Sequence, residues 1–363
     1  MRWLLALIGR IKNLLLVRKP LIAIDVFSGA GGMTLGLKQA GFRVIAAVEV
    51  DQLAVDTYRV NHPEVEVWQQ DVRQVSGEDI LKALKLREGE LDVLAGCPPC
   101  QGFSSIRTLN GKKRPRDERN DLIFDFLRLV EELKPKVVLL ENVPALAKKE
   151  RLVRFTRSLR KLGYTFSGTP MILNTADFGV PQRRRRMIFI GSRVGEIKMP
   201  EKEVEAVTVR ASIGDLPLPG ESGDPLHDIK EQRAPHTVKM IKKVPRDGGS
   251  RSDLPEEYHL PCHKKSPNGF KDVYGRMSWD NVAPTITSGC NNPSKGRFLH
   301  PTQHRAITLR EAAIFQSFPK DYYFSLEKGK NGAAIMIGNA LPPKFVQKQA
   351  VAIKDAIRAS RTL

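Results

Sequence analysis

The sequence predicts an α/β protein built on a Rossmann-like, mostly parallel sheet with helices on both faces. Short apolar runs at residues 21–27, 91–95 and 137–140 lack polar alternation, which is typical of strands buried on both faces. Segments with helical periodicity, such as residues 121–133, separate these runs. Strands that alternate with helices form parallel sheets, so these observations together predict the fold class.

Composition narrows the possible partners. The 363 residues suffice for a large domain and a smaller one. Lys and Arg number 59 against 40 Asp and Glu, which gives a formal net charge of +19. This excess predicts a polyanionic partner, most often nucleic acid, with an anionic membrane surface as the alternative. Four cysteines are too few for a disulfide scaffold and suit a reducing compartment.

We divide the sequence into four predicted parts. Residues 1–20 are predicted to form a basic amphipathic leader. They contain too few apolar residues to span a membrane and no signal-peptide cleavage site follows them. Residues 21–195 carry the strand–helix alternation of the large domain. Residues 196–333 are predicted to form a smaller, irregular domain, because residues 200–301 are rich in Pro, Gly, Lys and His and show little helical periodicity. Residues 334–363 return to helical patterning.

The predicted strand ends carry groups suited to an adenosine ligand. Residues 27–32 form a glycine-rich turn into a helix, where backbone can approach a ligand closely. Glu49 ends the next strand, where an acid accepts from ribose hydroxyls, and Asp71 ends the third and can accept from an adenine amino group. The turn alone also fits a purely structural role. These groups do not distinguish a dinucleotide from S-adenosylmethionine, but the absence of Lys or Arg in the turn fits a phosphate-free ligand.

A cysteine loop, Gly-Cys-Pro-Pro-Cys-Gln-Gly-Phe-Ser at residues 96–104, follows another predicted strand. A cysteine at such a strand end is a candidate nucleophile. The Cys-x-x-Cys pair also fits a redox disulfide, although no small thioredoxin-like module surrounds it. Zinc ligation together with Cys262, His263 or Cys290 is a further alternative, with scattered spacing.

A zinc nucleobase deaminase is the most specific alternative interpretation of the cysteine loop. Its signature combines His-x-Glu with Pro-Cys-x-x-Cys, and His62-Pro-Glu64 precedes the cysteine loop. However, Gly96 stands where that signature has proline. This alternative also leaves the glycine-rich turn without an explanation.

Six sequence blocks stand out along the chain. They are Asp-Val-Phe-Ser-Gly-Ala-Gly-Gly at 25–32, the cysteine loop at 96–104, Glu-Asn-Val at 141–143, Pro-Gln-Arg-Arg-Arg-Arg at 181–186, Thr-Leu-Arg-Glu-Ala-Ala at 308–313 with Gln-Ser-Phe-Pro at 316–319, and Gly-Asn-Ala-Leu-Pro-Pro at 338–343. In residues and in order, these blocks resemble those of the DNA cytosine-5 methyltransferases of bacterial type. The chain departs from that family in its leader and in four consecutive arginines where a mixed run is usual.

The resemblance implies a reaction and its catalytic residues. Cys100 corresponds to the nucleophile that adds to carbon 6 of a flipped-out cytosine, and Glu141 to the acid at ring N3. Arg184 and Arg186 match the arginines of a Gln-x-Arg-x-Arg pattern and are expected to stabilise the reacting base. Carbon 5 then accepts a methyl group. The other two arginines of the run, Arg183 and Arg185, are expected to face phosphate or solvent.

The resemblance also implies the ligands. The cofactor is S-adenosyl-L-methionine, which leaves as S-adenosyl-L-homocysteine, and no metal is expected. DNA contacts are expected from Gln101, Ser104, Arg107 and Gln182, and sequence reading from residues 200–276. The expected cofactor pocket consists of Phe27, Gly29, Gly31, Gly32, Glu49, Val50, Asp71, Val72, Pro99, Leu122, Asn339 and Ala340.

The predicted protein is therefore a monomeric methyltransferase that acts on a specific double-stranded DNA sequence. It is expected in the cytoplasm, on nucleoid DNA, without a membrane partner, and with a cognate restriction endonuclease as a possible companion. Residues 196–333 would read the target, and residues 334–363 would fold back onto the large domain. Two alternatives are methylation of RNA and a catalytically inactive DNA-binding module, although the intact catalytic residues argue against the latter.

Overall fold

The structure, a computed structural model, describes residues 19–99, 118–166, 170–260, 264 and 272–361. Four predicted site residues, namely Cys100, Gln101, Ser104 and Arg107, lie outside the described residues. The predicted leader lies outside them up to residue 18, as do Cys262 and His263. All structural statements below refer to the described part of the chain.

A seven-stranded sheet with the order β3-β2-β1-β4-β5-β7-β6 forms the core. Strands β1 to β5 pair in parallel, whereas β7 pairs antiparallel with both β5 and β6. The predicted mostly parallel sheet is confirmed. The strands are β1 Ile22–Val26, β2 Arg43–Val48, β3 Glu66–Trp68, β4 Val93–Gly96, β5 Val137–Asn142, β6 Met171–Asn174 and β7 Arg185–Ser192.

Helices cover both faces of this sheet, because the central strands β1, β4 and β5 are buried on both sides. The described helices are α1 Gly32–Gln39, α2 Gln52–Asn61, α3 Gly77–Ala83, α4 Leu122–Leu133, α5 Glu150–Lys161, α6 Val209–Ile213, α7 Pro235–Lys243, α8 Leu309–Phe315, α9 Gly329–Asn339 and α10 Pro343–Ser360. Helices α4 and α5 bury apolar residues in a cluster on one face, and α1 and α10 in a cluster on the other.

The last helix, α10, packs along α1 rather than against the irregular region. Its Phe345, Val346 and Ala350 are buried with Leu37 of α1. Gly32 shows how closely the segments approach, because a Cβ there would lie 2.4 Å from the carbonyl oxygen of Leu341. The C-terminal segment therefore lies against the glycine-rich turn that begins α1.

The region 196–333 contains two apolar clusters. One of them includes Ile213 and Phe315 and also takes in Ala30 and Leu53 from the first part of the chain. The other is made only of residues between 240 and 299, and it surrounds the fully buried Arg276, whose guanidinium donates to several backbone carbonyls. Only the second cluster is independent of the large sheet.

Candidate active site

The carboxyl ends of the parallel strands bring the predicted residues to one edge of the sheet. Because β1 lies between β2 and β4, the groups follow the strand order and not the sequence order. From β3 to β5 they are Asp71, Glu49, the turn at 27–31, the start of the cysteine loop at Cys97, and Glu141. This edge is where ligands of open parallel sheets bind.

The glycine-rich turn has a left-handed backbone at three positions. Phe27, Gly29 and Gly31 have φ angles of 62°, 52° and 92°. A Cβ at Gly31 would lie 2.6 Å from Nε2 of His62 and 2.7 Å from the hydroxyl of Tyr322, so only glycine fits. A Cβ at Gly29 would meet nothing within 4 Å. The turn is thus packed on one side and open on the other, which leaves room for a ligand.

A buried carboxyl group, that of Asp25, lies in β1 just before the glycine-rich turn. Asp25, fully buried in β1, accepts a hydrogen bond of 2.7 Å from Oγ1 of Thr34, which lies 2.7 Å from the hydroxyl of Tyr58. Burial raises the pKa of Asp25 to about 7, because it disfavours the charged carboxylate. Sequence reasoning missed this network, although the Asp at the start of the first block was its signal.

Glu49 binds the turn itself. One carboxylate oxygen accepts from the backbone N–H of Gly29 at 2.8 Å, and the other from those of Val50 and Asp51 at 2.8 and 2.9 Å. A carboxylate offers about four acceptor positions, so one remains for a ligand hydroxyl. Glu49 therefore shapes the turn as well as being a candidate ribose ligand.

We expect Glu49→Gln to weaken S-adenosylmethionine binding by about tenfold or more, since charge-assisted hydrogen bonds are worth about 1.5–3 kcal/mol each. The amide nitrogen of the new glutamine is a donor. It would therefore face another donor, either the N–H of Gly29 or the N–H groups of Val50 and Asp51, and those hydrogen bonds would be lost. Isothermal titration calorimetry measures the affinity. Glu131→Gln, an exposed change on α4, is the matched control. Equal affinities for the two variants would contradict the role of Glu49.

Asp71 and Val72 form the far end of the edge. Asp71 accepts from the guanidinium and the backbone N–H of Arg73, and these contacts lower the pKa of its carboxyl. Val72 is buried, and its carbonyl accepts from Arg128 of α4 at 2.9 Å. Sequence reasoning missed both arginines, because such contacts follow no periodic pattern.

The remaining predicted cofactor residues differ in exposure. Leu122 at the start of α4 and Pro99 within the cysteine loop are half-buried, and Val50 is 64% exposed. Asn339 is exposed and Ala340 half-buried at the end of α9, one residue before the carbonyl that touches Gly32. These positions all border the edge that holds the glycine-rich turn.

Glu141 and Arg186 form an ion pair at the other end of the edge. Nε of Arg186 lies 2.7 Å from Oε1 of Glu141, and the side chains are 16% and 9% exposed. Glu141 opposes Ile188 across the antiparallel pair, and Arg186 lies two residues from Ile188, hence on the same face of the sheet. Oε1 of Glu141 accepts no hydrogen bond of good geometry within the described residues.

The start of the cysteine loop lies beside this pair. Burial raises the pKa of the Cys97 thiol well above its usual value, and the neighbouring Glu141 carboxylate raises it further. Cys97 therefore remains a thiol near neutral pH and is a poor nucleophile. Asn142 holds the loop through a hydrogen bond of 2.9 Å from Nδ2 to the carbonyl of Pro98. In the described part of the chain, no three His, Cys, Asp or Glu side chains are grouped to hold a metal.

Gln182 and Arg184 are buried where the segment before β7 meets residues 286–288, Gln316 and Gly338. We call this contact region the buried joint. Gln182 is fully buried, donates to Oε1 of Gln316 at 2.7 Å and accepts from the N–H of Ile286 at 2.7 Å. Arg184 donates to the carbonyls of Ile286 at 2.7 Å and Gly338 at 2.9 Å. The polar groups of Gln182 are thus engaged within the protein, and none is presented to DNA in this structure.

The same joint explains Gly338. A Cβ there would lie 2.2 Å from the backbone of residues 287 and 288, so the chains can approach only because this residue has no side chain. Gln316 extends the joint by donating to the carbonyl of Ile337 at 2.5 Å. The joint therefore ties β7, the irregular region and the end of α9 together. Sequence reasoning missed Gln316 as a member, although it lies within one of the six blocks.

We expect Arg184→Ala to lower the free energy of unfolding by roughly 2–5 kcal/mol, since it leaves two buried carbonyls without donors. Arg183→Ala is the matched control, because Arg183 is the exposed neighbour in the same arginine run. Urea denaturation followed by circular dichroism measures both variants. If the two variants unfold alike, the joint does not depend on Arg184.

Comparison with known families agrees with the resemblance that the six blocks predict. The model of the family described as C-5 cytosine-specific DNA methylase matches residues 21–355. The type II methylase M.HgiDII of Herpetosiphon aurantiacus is 37% identical over 350 residues, covering 91% of this chain and 94% of that protein. The type II methyltransferase M1.HphI of Haemophilus parahaemolyticus is 36% identical over 338 residues, covering 91% and 86%.

Solved structures share the fold. A prophage-encoded protein of Escherichia coli, assigned as a DNA modification methyltransferase, superposes with a TM-score of 0.66 at 26% identity over 93% of this chain and 99% of that chain. The DNMT2 protein of Spodoptera frugiperda gives a TM-score of 0.59 at 19% identity over 92% and 99%. The second likeness concerns the fold alone. In the described residues, no helix is both long enough and apolar enough to cross a bilayer.

Proposed function

Because the chain belongs to the C-5 cytosine-specific DNA methylase family, we propose that it methylates carbon 5 of a flipped-out cytosine within a specific duplex sequence, through a covalent bond between Cys100 and carbon 6. The pairing of Glu141 with Arg186 beside the cysteine loop is the observation that carries the proposal. This pair supports the proposal because an acid and a planar cation side by side suit a ring in which negative charge develops. The reaction needs both faces of the base, hence flipping.

The reaction balances as follows. The Cys100 thiolate adds to carbon 6, which breaks the aromaticity of the ring and makes carbon 5 nucleophilic. Glu141, in its protonated form, donates a hydrogen bond or its proton to N3, and Arg186 donates toward the cytosine. Carbon 5 takes the methyl group and then loses its proton to a solvent water molecule. Expulsion of the thiolate restores the double bond between carbons 5 and 6, and N3 returns to Glu141 any proton that it took.

The cofactor is S-adenosyl-L-methionine, which supplies an electrophilic methyl group and leaves as S-adenosyl-L-homocysteine. The open side of the glycine-rich turn and the remaining acceptor position of Glu49 fit such a ligand. Glu49 would hold the ribose, Asp71 and Val72 the adenine, and the turn the methionine end. Asn142 holds the start of the cysteine loop through its hydrogen bond to the carbonyl of Pro98.

We further propose that residues 196–333 read the target sequence and that the protein acts as a monomer on cytoplasmic DNA. The type II relatives support a cognate restriction endonuclease that recognises the same sequence. Gln101, Ser104 and Arg107 remain proposed DNA contacts, whereas Gln182 is proposed to act through the buried joint. The formal charge of +19 supports docking led by phosphate contacts.

Bisulfite sequencing of DNA from cells that express the gene tests the function and reveals the target. We expect protected cytosines at one position of one short sequence, and none in cells with an empty vector. Bisulfite treatment of RNA from the same cells addresses the alternative substrate. Protection confined to RNA, or no protection at all, would overturn the proposal.

A further inference from the structure

The outward face of α5 carries a stripe of cations. Arg154, Arg157, Arg160 and Lys161 are all exposed and recur at helical spacing, so they share one side of the helix. The opposite side of α5 buries Leu152, Phe155 and Leu159 in the core of the large sheet. Residues 148–161 contain seven basic residues and one acidic residue.

Ion pairs within the described residues leave these four cations aside. Some basic side chains elsewhere on the described surface pair with acids, as Lys38 does with Glu64 and Lys348 with Glu203. No acidic side chain among the described residues pairs with any of the four cations of α5. Their positive charge is therefore left for an external anion.

Aromatic rings hold two of these arginines in place. The guanidinium of Arg154 lies 4.7 Å from the centre of the Phe124 ring, and that of Arg160 lies 4.6 Å from the centre of the Phe166 ring. Stacking on a ring restricts a guanidinium without occupying its N–H donors. Both arginines are thus ordered in advance for a ligand that accepts hydrogen bonds.

The position of α5 connects this face to the edge of the sheet that carries Glu49, Cys97 and Glu141, which we call the catalytic edge. Glu141 lies near the end of β5, and a single turn, Pro144–Lys148, separates that strand from α5. In the first turn of α5, Nε of Arg151 donates to Asp121 at 2.7 Å, and Asp121 directly precedes α4. The stripe therefore begins one turn into α5 from the catalytic edge and continues away from it for roughly 11 Å, the rise of the helix between Arg154 and Lys161.

We propose that the outward face of α5 binds the phosphate backbone of the duplex that flanks the target sequence. The inference rests on DNA being the substrate. Duplex DNA carries about one phosphate charge per 1.7 Å of its axis, so a stripe of this length meets several phosphates. A membrane surface fits less well, because the apolar side of α5 is buried in the protein and cannot insert.

The test compares two duplexes centred on the methylated sequence, one of about 14 base pairs and one of about 40, so that the longer offers many more flanking phosphates than the shorter. Arg157→Glu with Lys161→Glu alters the stripe but leaves the two stacked arginines in place. Arg43→Glu with Arg59→Glu, at exposed sites on β2 and α2, makes the same change in net charge. Arg157→Gln with Lys161→Gln serves as a milder variant.

For the parent protein we expect tighter binding of the long duplex than of the short one. The Glu variant of α5 loses about tenfold or more in affinity for the long duplex, and its salt slope falls by about 2. Its methyl transfer to the short duplex matches the parent rate, which confirms a folded enzyme and keeps the proposed function separate. Equal weakening on both duplexes, an equal effect of the Arg43 and Arg59 changes, or no length dependence in the parent would overturn the proposal.

Discussion

Replacing Cys100 with alanine should lower methyl transfer by at least about a thousandfold, a loss typical of removing a covalent nucleophile. Without the sulfur, carbon 6 gains no substituent, and carbon 5 stays part of an aromatic ring that cannot attack a methyl group. Binding of DNA and cofactor should persist, because neither depends on the thiolate. Incorporation of tritiated methyl groups measures the reaction, and fluorescence anisotropy measures DNA binding.

Cys97 provides the matched control within the same loop. Burial raises the pKa of its thiol and Glu141 raises it further, so this cysteine is a poor nucleophile near neutral pH. We therefore expect Cys97→Ala to keep the covalent adduct with DNA that carries 5-fluorocytosine, and Cys100→Ala to lose it. Turnover by the Cys100 variant, or an adduct that disappears only with Cys97, would refute the assignment of the nucleophile.

Parallel strands were predictable from the sequence because burial on both faces leaves a direct trace, an apolar run without alternation. Because the carboxyl ends of parallel strands lie at one edge of a sheet, the parallel direction alone places Glu49, Cys97 and Glu141 on that edge. The antiparallel direction of β7 was not predictable, since residues 187–191 are as apolar as a parallel strand. That direction matters, because it brings Arg186 beside Glu141.

Contacts between side chains and backbone were the main part that the sequence did not reveal. The spacing identified Glu49 as a candidate ribose ligand but not its bonds to the turn, because a backbone N–H has no sequence signature. Likewise, the pattern at 182–186 treats Arg184 and Arg186 alike. In the structure, Arg184 donates to backbone carbonyls in the buried joint, whereas Arg186 pairs with Glu141.

This difference separates the two arginines by their expected effects. Loss of Arg184 removes donors that join three segments, so its cost appears first in the free energy of unfolding. Loss of Arg186 removes a cation from the catalytic edge, so its cost should appear in the rate of methyl transfer. Measuring stability and rate for both variants distinguishes a positioning residue from a residue of the reacting site.

We expect Glu141→Gln to reduce the rate of methyl transfer by about 10²–10⁴, the range typical of general acid–base catalysis. The amide cannot deliver a proton to N3 of the ring, and it does not balance the charge of Arg186. S-adenosylmethionine affinity should be unchanged, because Glu49 and the glycine-rich turn lie on other strands. Single-turnover methyl transfer measures the rate, and Glu131→Gln on the exposed side of α4 is the control.

Combining Glu141→Gln with Arg186→Lys tests whether the pair acts as a unit. Lysine keeps the charge of Arg186 but loses the planar set of donors. Since the two side chains lie 2.7 Å apart and are mostly buried, their effects should be strongly coupled. We expect the double variant to be about as slow as the slower single variant. Losses that multiply in full would mean that the two residues act independently, and the ion pair would then not explain how the charge on the ring is stabilised.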